Sequence, residues 1–187
     1  MAQQAGAPKT IASSLELVVI PLFVYLGCFY LLTFPQLHQF STHYFTDEGD
    51  GLGNIWNLWW INKAITELHQ SPWHTTFLYY PYGTSLLPHT LNPLNGVIAM
   101  VLMRFMSQVQ VYNFIVVFTF VVSGLTAFFL AREFTKSFPA CLVAGFIFTF
   151  SEYHFAHAQG HLNLESMEWI PLFMLCFYKL TIRPRVL

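Results

Sequence analysis

A chain of 187 residues that is 55% hydrophobic, 18% aromatic and only 9% charged is far short of the roughly 25% charged residues of soluble domains, which excludes an ordinary water-soluble globular protein. A net charge of −1 and the lack of any basic stripe exclude a nucleic-acid partner. Three cysteines, Cys28, Cys141 and Cys176, each fall in an apolar run without a CxxC pair. That argues against a disulfide framework or a zinc knuckle and for small buried hydrophobes.

In chain order, a tail over 1–14 precedes a first apolar stretch, 15–34, which carries only Glu16 as a charge and ends at Pro35. It is long enough to cross a bilayer core, which takes about 20 residues, and no small-x-small cleavage site follows it, so it reads as a retained first span. A second span covers 109–131, a third 138–155 with Pro139 in its first turn, and a fourth 167–182. Gly124 and Gly145 suit close helix–helix approach.

The apolar stretch 93–106 is about 14 residues long and interrupted by Arg104, which suits an interfacial or re-entrant segment better than a span. The positive-inside rule agrees. With four spans, Lys9, Arg132, Lys136, Lys179, Arg183 and Arg185 are cytoplasmic, and only Lys63 and Arg104 are outside. The expected architecture is therefore an all-α integral membrane protein with about four transmembrane helices and both termini inside. Its first external loop, 35–108, is long and carries interfacial helices. Asp47, Glu48, Asp50 and all eight histidines then gather in or beside the external loops 35–108 and 156–166.

In the long loop, 54–68 carries Trp56, Trp59 and Trp60 with Lys63 and Glu67, a composition suited to a helix lying at the headgroup level. The aromatic stretch 71–84, broken by Pro72, Pro81 and Gly83, is suited to packing the loop onto the bilayer or to stacking on a sugar. The run Asp47-Glu48-Gly49-Asp50-Gly51 offers oxygen ligands for a divalent cation, Mg or Mn, through Asp47 and Asp50. It equally offers a general base, or an acidic turn that caps the helix after it. In the second loop, His154, His157 and His161 are spaced for one helical face. That pattern suits a transition metal or hydrogen bonding to a phosphate, a headgroup or the acidic cluster of the first loop, and Gly160 opposes an unbroken helix.

Several segments together resemble a known superfamily. They are the acidic turn, Gly53-Asn-Ile-Trp-Asn-Leu-Trp-Trp, Phe77-Leu-Tyr-Tyr-Pro-Tyr-Gly-Thr, His89-Thr-Leu-Asn-Pro-Leu, Tyr112-Asn, Leu130-Ala-Arg-Glu-Phe, and Tyr153-His-Phe-Ala-His followed by Gly160-His-Leu and Glu168-Trp-Ile-Pro-Leu. Their order over 47–172 resembles the N-terminal part of bacterial membrane glycosyltransferases of the GT-C superfamily. That resemblance implies a protein of the bacterial inner membrane that takes a sugar from a polyprenyl-phosphate carrier on the extracytoplasmic side. It implies a catalytic carboxylate at Asp50, or at Asp47 or Glu48, with His89, Arg104, His157 and His161 binding substrate or phosphate. The chain departs from such enzymes in having far fewer helices and in the Thr-Leu-Asn inserted between His89 and Pro93. The other reading is a non-catalytic accessory subunit of a larger membrane complex, with lipids and other membrane subunits as partners.

Overall fold

The computed structural model describes residues 11–182, and side chains from Leu15 onward. The expected cytoplasmic tail over most of 1–14, with Lys9, and the basic Arg183 and Arg185 lie outside the described residues or at their edge. The chain is mostly helical. Among the described residues two helices are long and apolar enough to cross a membrane: α1 (Ile11–Leu32), over its Leu15–Leu32 stretch, and α4 (Gln108–Phe134). Between them come a 3-10 turn at Gln36–Gln39, then α2 (Asp50–Thr66), the two-residue strands β1 (His74–Thr75) and β2 (Thr84–Ser85), and α3 (Pro93–Leu102). After α4 come α5 (Phe138–Thr149), α6 (Glu152–Ala158), α7 (Leu162–Glu165) and α8 (Trp169–Ile182).

Helix α4 is the axis of the molecule. Ser107 starts it with a capping box: its hydroxyl accepts from the Gln110 amide, and the Gln110 side chain accepts from the Ser107 amide. Neighbours attach along its length in layers. Near its C-terminus, Phe134 packs on Tyr178 of α8 at 5.0 Å between ring centroids, and Glu133 pairs with Lys179 at 3.1 Å. In the middle, the Tyr25 ring of α1 occupies the space that a Cβ would need at Gly124 and at Gly145. Small residues there let α1, α4 and α5 approach closely. One layer further, Phe29 meets Phe120 at 5.0 Å, and Thr149 donates to the Phe120 carbonyl.

Beyond that layer lies the loop end, where α1 finishes and α4 begins. Asn113 of α4 is fully buried and organises the chain there: its amide donates to the carbonyls of Phe40 (2.8 Å) and His43 (2.7 Å), and its oxygen accepts from the Phe45 amide at 2.7 Å. Helix α2 packs on α3 and holds the β1–β2 hairpin, which pairs His74 with Ser85 and Thr75 with Thr84. Gly83, at φ +72°, closes the hairpin where a Cβ would stand 2.6 Å from the Thr75 carbonyl.

Four expectations need correction. The indoles of the tryptophan-rich segment do not all face outward. Trp60 is fully buried, stacks on Trp56 at 5.8 Å and donates to the Pro72 carbonyl, so the indoles form a core of their own with Ile61, Ala64, Leu86 and Leu91. Helix α3 stops at Leu102 rather than reaching residue 106.

The expected third span, 138–155, is broken. Helix α5 ends at Thr149, and Ser151 starts a separate helix by accepting from the His154 amide. At 12 residues, α5 is about 18 Å long. It is shorter than the ~30 Å hydrocarbon core. Finally, 156–166 is not a free loop: Leu162 and Glu165 are fully buried, and Glu165 reaches Thr119 of α4.

Candidate functional site

The site is assembled from two segments that α4 brings together. On the first, Asn113 fixes Phe45, and the chain then runs through Thr46 and Asp47 into α2. Asp47 Oδ1 accepts from the amides of Gly49 (3.1 Å) and Gly51 (3.2 Å), so this carboxylate holds the entry to α2. Gly51 has no room for a Cβ because the Thr46 side chain fills that space. Asp50 is thereby placed in the first turn of α2, where the helix dipole favours a negative charge.

The second segment is the turn after α6. The Gln159 carbonyl accepts from the Asp47 amide (2.6 Å) and from Thr46 Oγ1 (3.0 Å), and the Gly160 carbonyl accepts from the buried Asn54 amide at 2.7 Å. Gly160 is required at this seam, since a Cβ would lie 2.8 Å from Asp47 Oδ1. Beyond it, His161 Nε2 stands 3.3 Å from Asp50 Oδ2. Both side chains remain largely exposed, so the pair is available to a ligand rather than sealed in a core.

Asp50 and His161 line a cavity of about 490 Å³. His89 lines it too, with its Nε2 held 2.9 Å from Asn57 Oδ1, while the Asn57 amide donates to the Thr90 carbonyl. Three residues assigned to the site from sequence, Asp50, His89 and His161, therefore share one cavity, although they come from three distant parts of the chain. Gly49, Gly53 and Asn163 complete its polar rim.

The other candidates stand elsewhere. Asp47 anchors α2 and lines a separate cavity. Glu48 is exposed in the turn. Arg104 is exposed beyond the end of α3 and is outside the lining of the Asp50 cavity. His157 is also outside that lining, but its ring stacks on Tyr153 at 4.1 Å and lies 5.5 Å from the His161 ring, so it supports His161 from behind. The three histidines do not share one face. Helix α6 ends at Ala158, and His154 turns inward, fully buried, to stack on Phe120 at 3.8 Å with Nδ1 2.7 Å from the Thr149 carbonyl.

The cation expected from sequence would draw on Asp47 and Asp50. Asp47 Oδ1 is engaged by two amides, and the two carboxylates line different cavities. Among the described residues no group of three or more His, Cys, Asp or Glu side chains is arranged to hold a metal.

Glu165 and Glu168 are not among the site residues expected from sequence. Both are fully buried next to the site segment. Glu165 Oε1 accepts from Thr119 Oγ1 at 2.8 Å. Burial pushes its carboxyl up to about 8, the Thr119 hydrogen bond opposes this, and the nearby Glu168 adds to it. Burial likewise pushes Glu168 up to about 7 and, as the largest effect, pushes the His154 imidazole down to about 4. Their burial depends on how α7 folds onto α4, a contact that spacing along the chain does not reveal.

No curated protein and no solved structure matches the chain. A family model described as a domain of unknown function, DUF6311, matches residues 52–185, which takes in most of α2 and everything after it. The chain belongs to the DUF6311 family.

Proposed function

We propose that the chain is a multi-span protein of the bacterial inner membrane that transfers a sugar from a polyprenyl-phosphate carrier on the extracytoplasmic side, as its GT-C-like motifs imply. The observation that carries this reading is the single cavity lined by Asp50, His161 and His89. Two features support the membrane placement. Helices α1 and α4 are long enough to cross. Arg132, Lys136 and Lys179 sit around the Glu133 end of α4, away from the cavity, as the positive-inside rule requires of a cytoplasmic end. Helices α5 and α8 complete the bundle on that half.

In this reading Asp50 is the general base. It takes the proton from an acceptor hydroxyl as the oxygen attacks the anomeric carbon, and the bond from that carbon to the carrier phosphate breaks with its electron pair leaving on the phosphate. His161 holds the Asp50 carboxylate in place, and in their doubly protonated form His161 and His89 each have a second ring N–H to donate to the departing phosphate. Asn57 fixes the His89 ring through its Nε2. The test is transfer of a radiolabelled hexose from its polyprenyl phosphate by the protein in native membranes. Asp50→Asn loses transfer if the assignment holds, and undiminished transfer removes Asp50 from the mechanism.

A second reading, a non-catalytic subunit of a larger membrane complex, is favoured by α1, of which only 17% of the spanning window is buried within the chain. Purification in mild detergent separates the two. A stable set of co-purifying membrane proteins supports a subunit, and a lone chain supports the enzyme.

A further inference from the structure

A second cavity, of about 350 Å³, lies on the other side of the Asp47–Gln159 seam, at the low end of the range for small-molecule sites. Its two ends differ in chemistry. One end is apolar: Phe29 of α1, Val116 and Phe120 of α4, and Phe155 of α6, with Phe120 touching Phe29 at 5.0 Å and Phe155 at 5.1 Å. The other end is polar: Gln36, Gln39, Gln159 and the Asp47 carboxylate. Asp47 is the only charged side chain in the lining, which contains no Lys, Arg or His among the described residues.

The cavity's level in the molecule is set by α1. Its lining residues Phe29, Thr33 and Gln36 follow the last turn of that helix. On the neighbouring face, Tyr30, Phe34 and His38 form an exposed edge-to-face ladder, at 5.8 Å and then 5.2 Å. Amphipathic rings at the end of a spanning helix suit the headgroup level. The apolar end of the cavity therefore points toward the bilayer and the polar end toward water.

We infer that this cavity binds the end of a membrane amphiphile whose head donates hydrogen bonds and carries no negative charge, with its chain seated among Phe29, Phe120 and Phe155. Charge decides the head group. A phosphate placed here would meet a carboxylate and no cation, and an unpaired charge taken from water is costly. A hydroxyl or an ammonium instead finds Asp47 and three glutamine side chains as partners. The carrier phosphate is thus excluded from this cavity and left to the histidine-lined one. The inference rests on the proposed membrane placement but not on sugar transfer.

The test is photolabelling of the whole protein in phosphatidylcholine vesicles with hexadecanol bearing a diazirine in its chain, compared with the matching hexadecyl phosphate, and mapping of adducts by peptide mass spectrometry. The alcohol is expected to label 29–33 and 155–159 about tenfold more than the phosphate does. Ala158→Leu, which fills the cavity from its α6 wall, is expected to abolish that labelling. Asp47→Asn, which keeps an acceptor oxygen for the α2 amides, is expected to close the gap between the two probes. If Ala158→Leu fails to fold, Asp47→Asn decides alone. Equal labelling by the phosphate, adducts confined to the outward residues Phe23 and Leu31, or an unchanged gap in Asp47→Asn overturns the inference. Since labelling needs no turnover, it stands or falls separately from glycosyl transfer.

Discussion

His161 Nε2 lies 3.3 Å from Asp50 Oδ2, so a histidine from the turn after α6 meets the first turn of α2. The pair is exposed, and exposed ion pairs contribute only about 0–1 kcal/mol. Asp50→Asn is therefore expected to unfold within about 1 kcal/mol of the wild type while losing transfer. Denaturant titration in detergent, run beside the transfer assay, checks both halves.

The seam behind this pair depends on Gly160. Gly160→Ala places a methyl 2.8 Å from Asp47 Oδ1 and pushes apart the two segments that carry Asp50 and His161. The expected cost is about 1–3 kcal/mol, as for other overpacked sites, with reduced transfer although neither of the paired residues is changed. A fully active and fully stable Gly160→Ala would show that the seam is not needed.

The Asp50 cavity was partly legible in the sequence because its residues sit in local signals: an acidic turn before a helix, and histidines around a glycine. What the sequence did not show is which of them converge. Arg104 has the charge for a phosphate, but α3 ends before it and leaves it outside the cavity lining. His154 has the spacing of a ligand, but the break after Thr149 turns it onto Phe120. The stretch 138–150 is almost uniformly apolar, so hydropathy does not mark where the third helix stops, although Ser151, Glu152 and His154 follow the break. Hydropathy does not respond to a Ser151 cap.

The buried titratable groups set the pH response. Glu165 is raised from 4.5 to about 8 and Glu168 to about 7. The folded state therefore keeps protons that the unfolded chain releases, and stability falls as pH rises from about 4.5 toward 8. His154 is lowered from 6.5 to about 4, so the unfolded chain takes up a proton first, and stability is lost as pH falls from 6.5 toward 4. The two slopes oppose each other between 4.5 and 6.5, and the carboxyls alone act above that. Thermal unfolding is expected to weaken from pH 6.5 to 8 in the wild type and to stay flatter in Glu165→Gln. A Glu165→Gln profile identical to the wild type would contradict the assignment.

Trp60 tests the aromatic core of the long loop. It is fully buried, stacked on Trp56 and bonded to the Pro72 carbonyl. Trp60→Ala is expected to cost about 3–5 kcal/mol. Trp60→Phe keeps much of the packing and leaves the Pro72 carbonyl without its donor, a loss of about 1 kcal/mol for the hydrogen bond beyond the smaller ring. Urea titration followed by tryptophan emission measures both. If Trp60→Ala costs as little as an exposed substitution, the indoles do not form a core.

The most direct measurement is the fate of a radiolabelled hexose on its polyprenyl phosphate, incubated with the wild-type protein and with Asp50→Asn in the same native membranes. The expected result is label leaving the carrier with the wild type and staying on it with Asp50→Asn. Label that stays on the carrier with the wild type, or leaves it equally with both, would contradict glycosyl transfer at the Asp50 cavity.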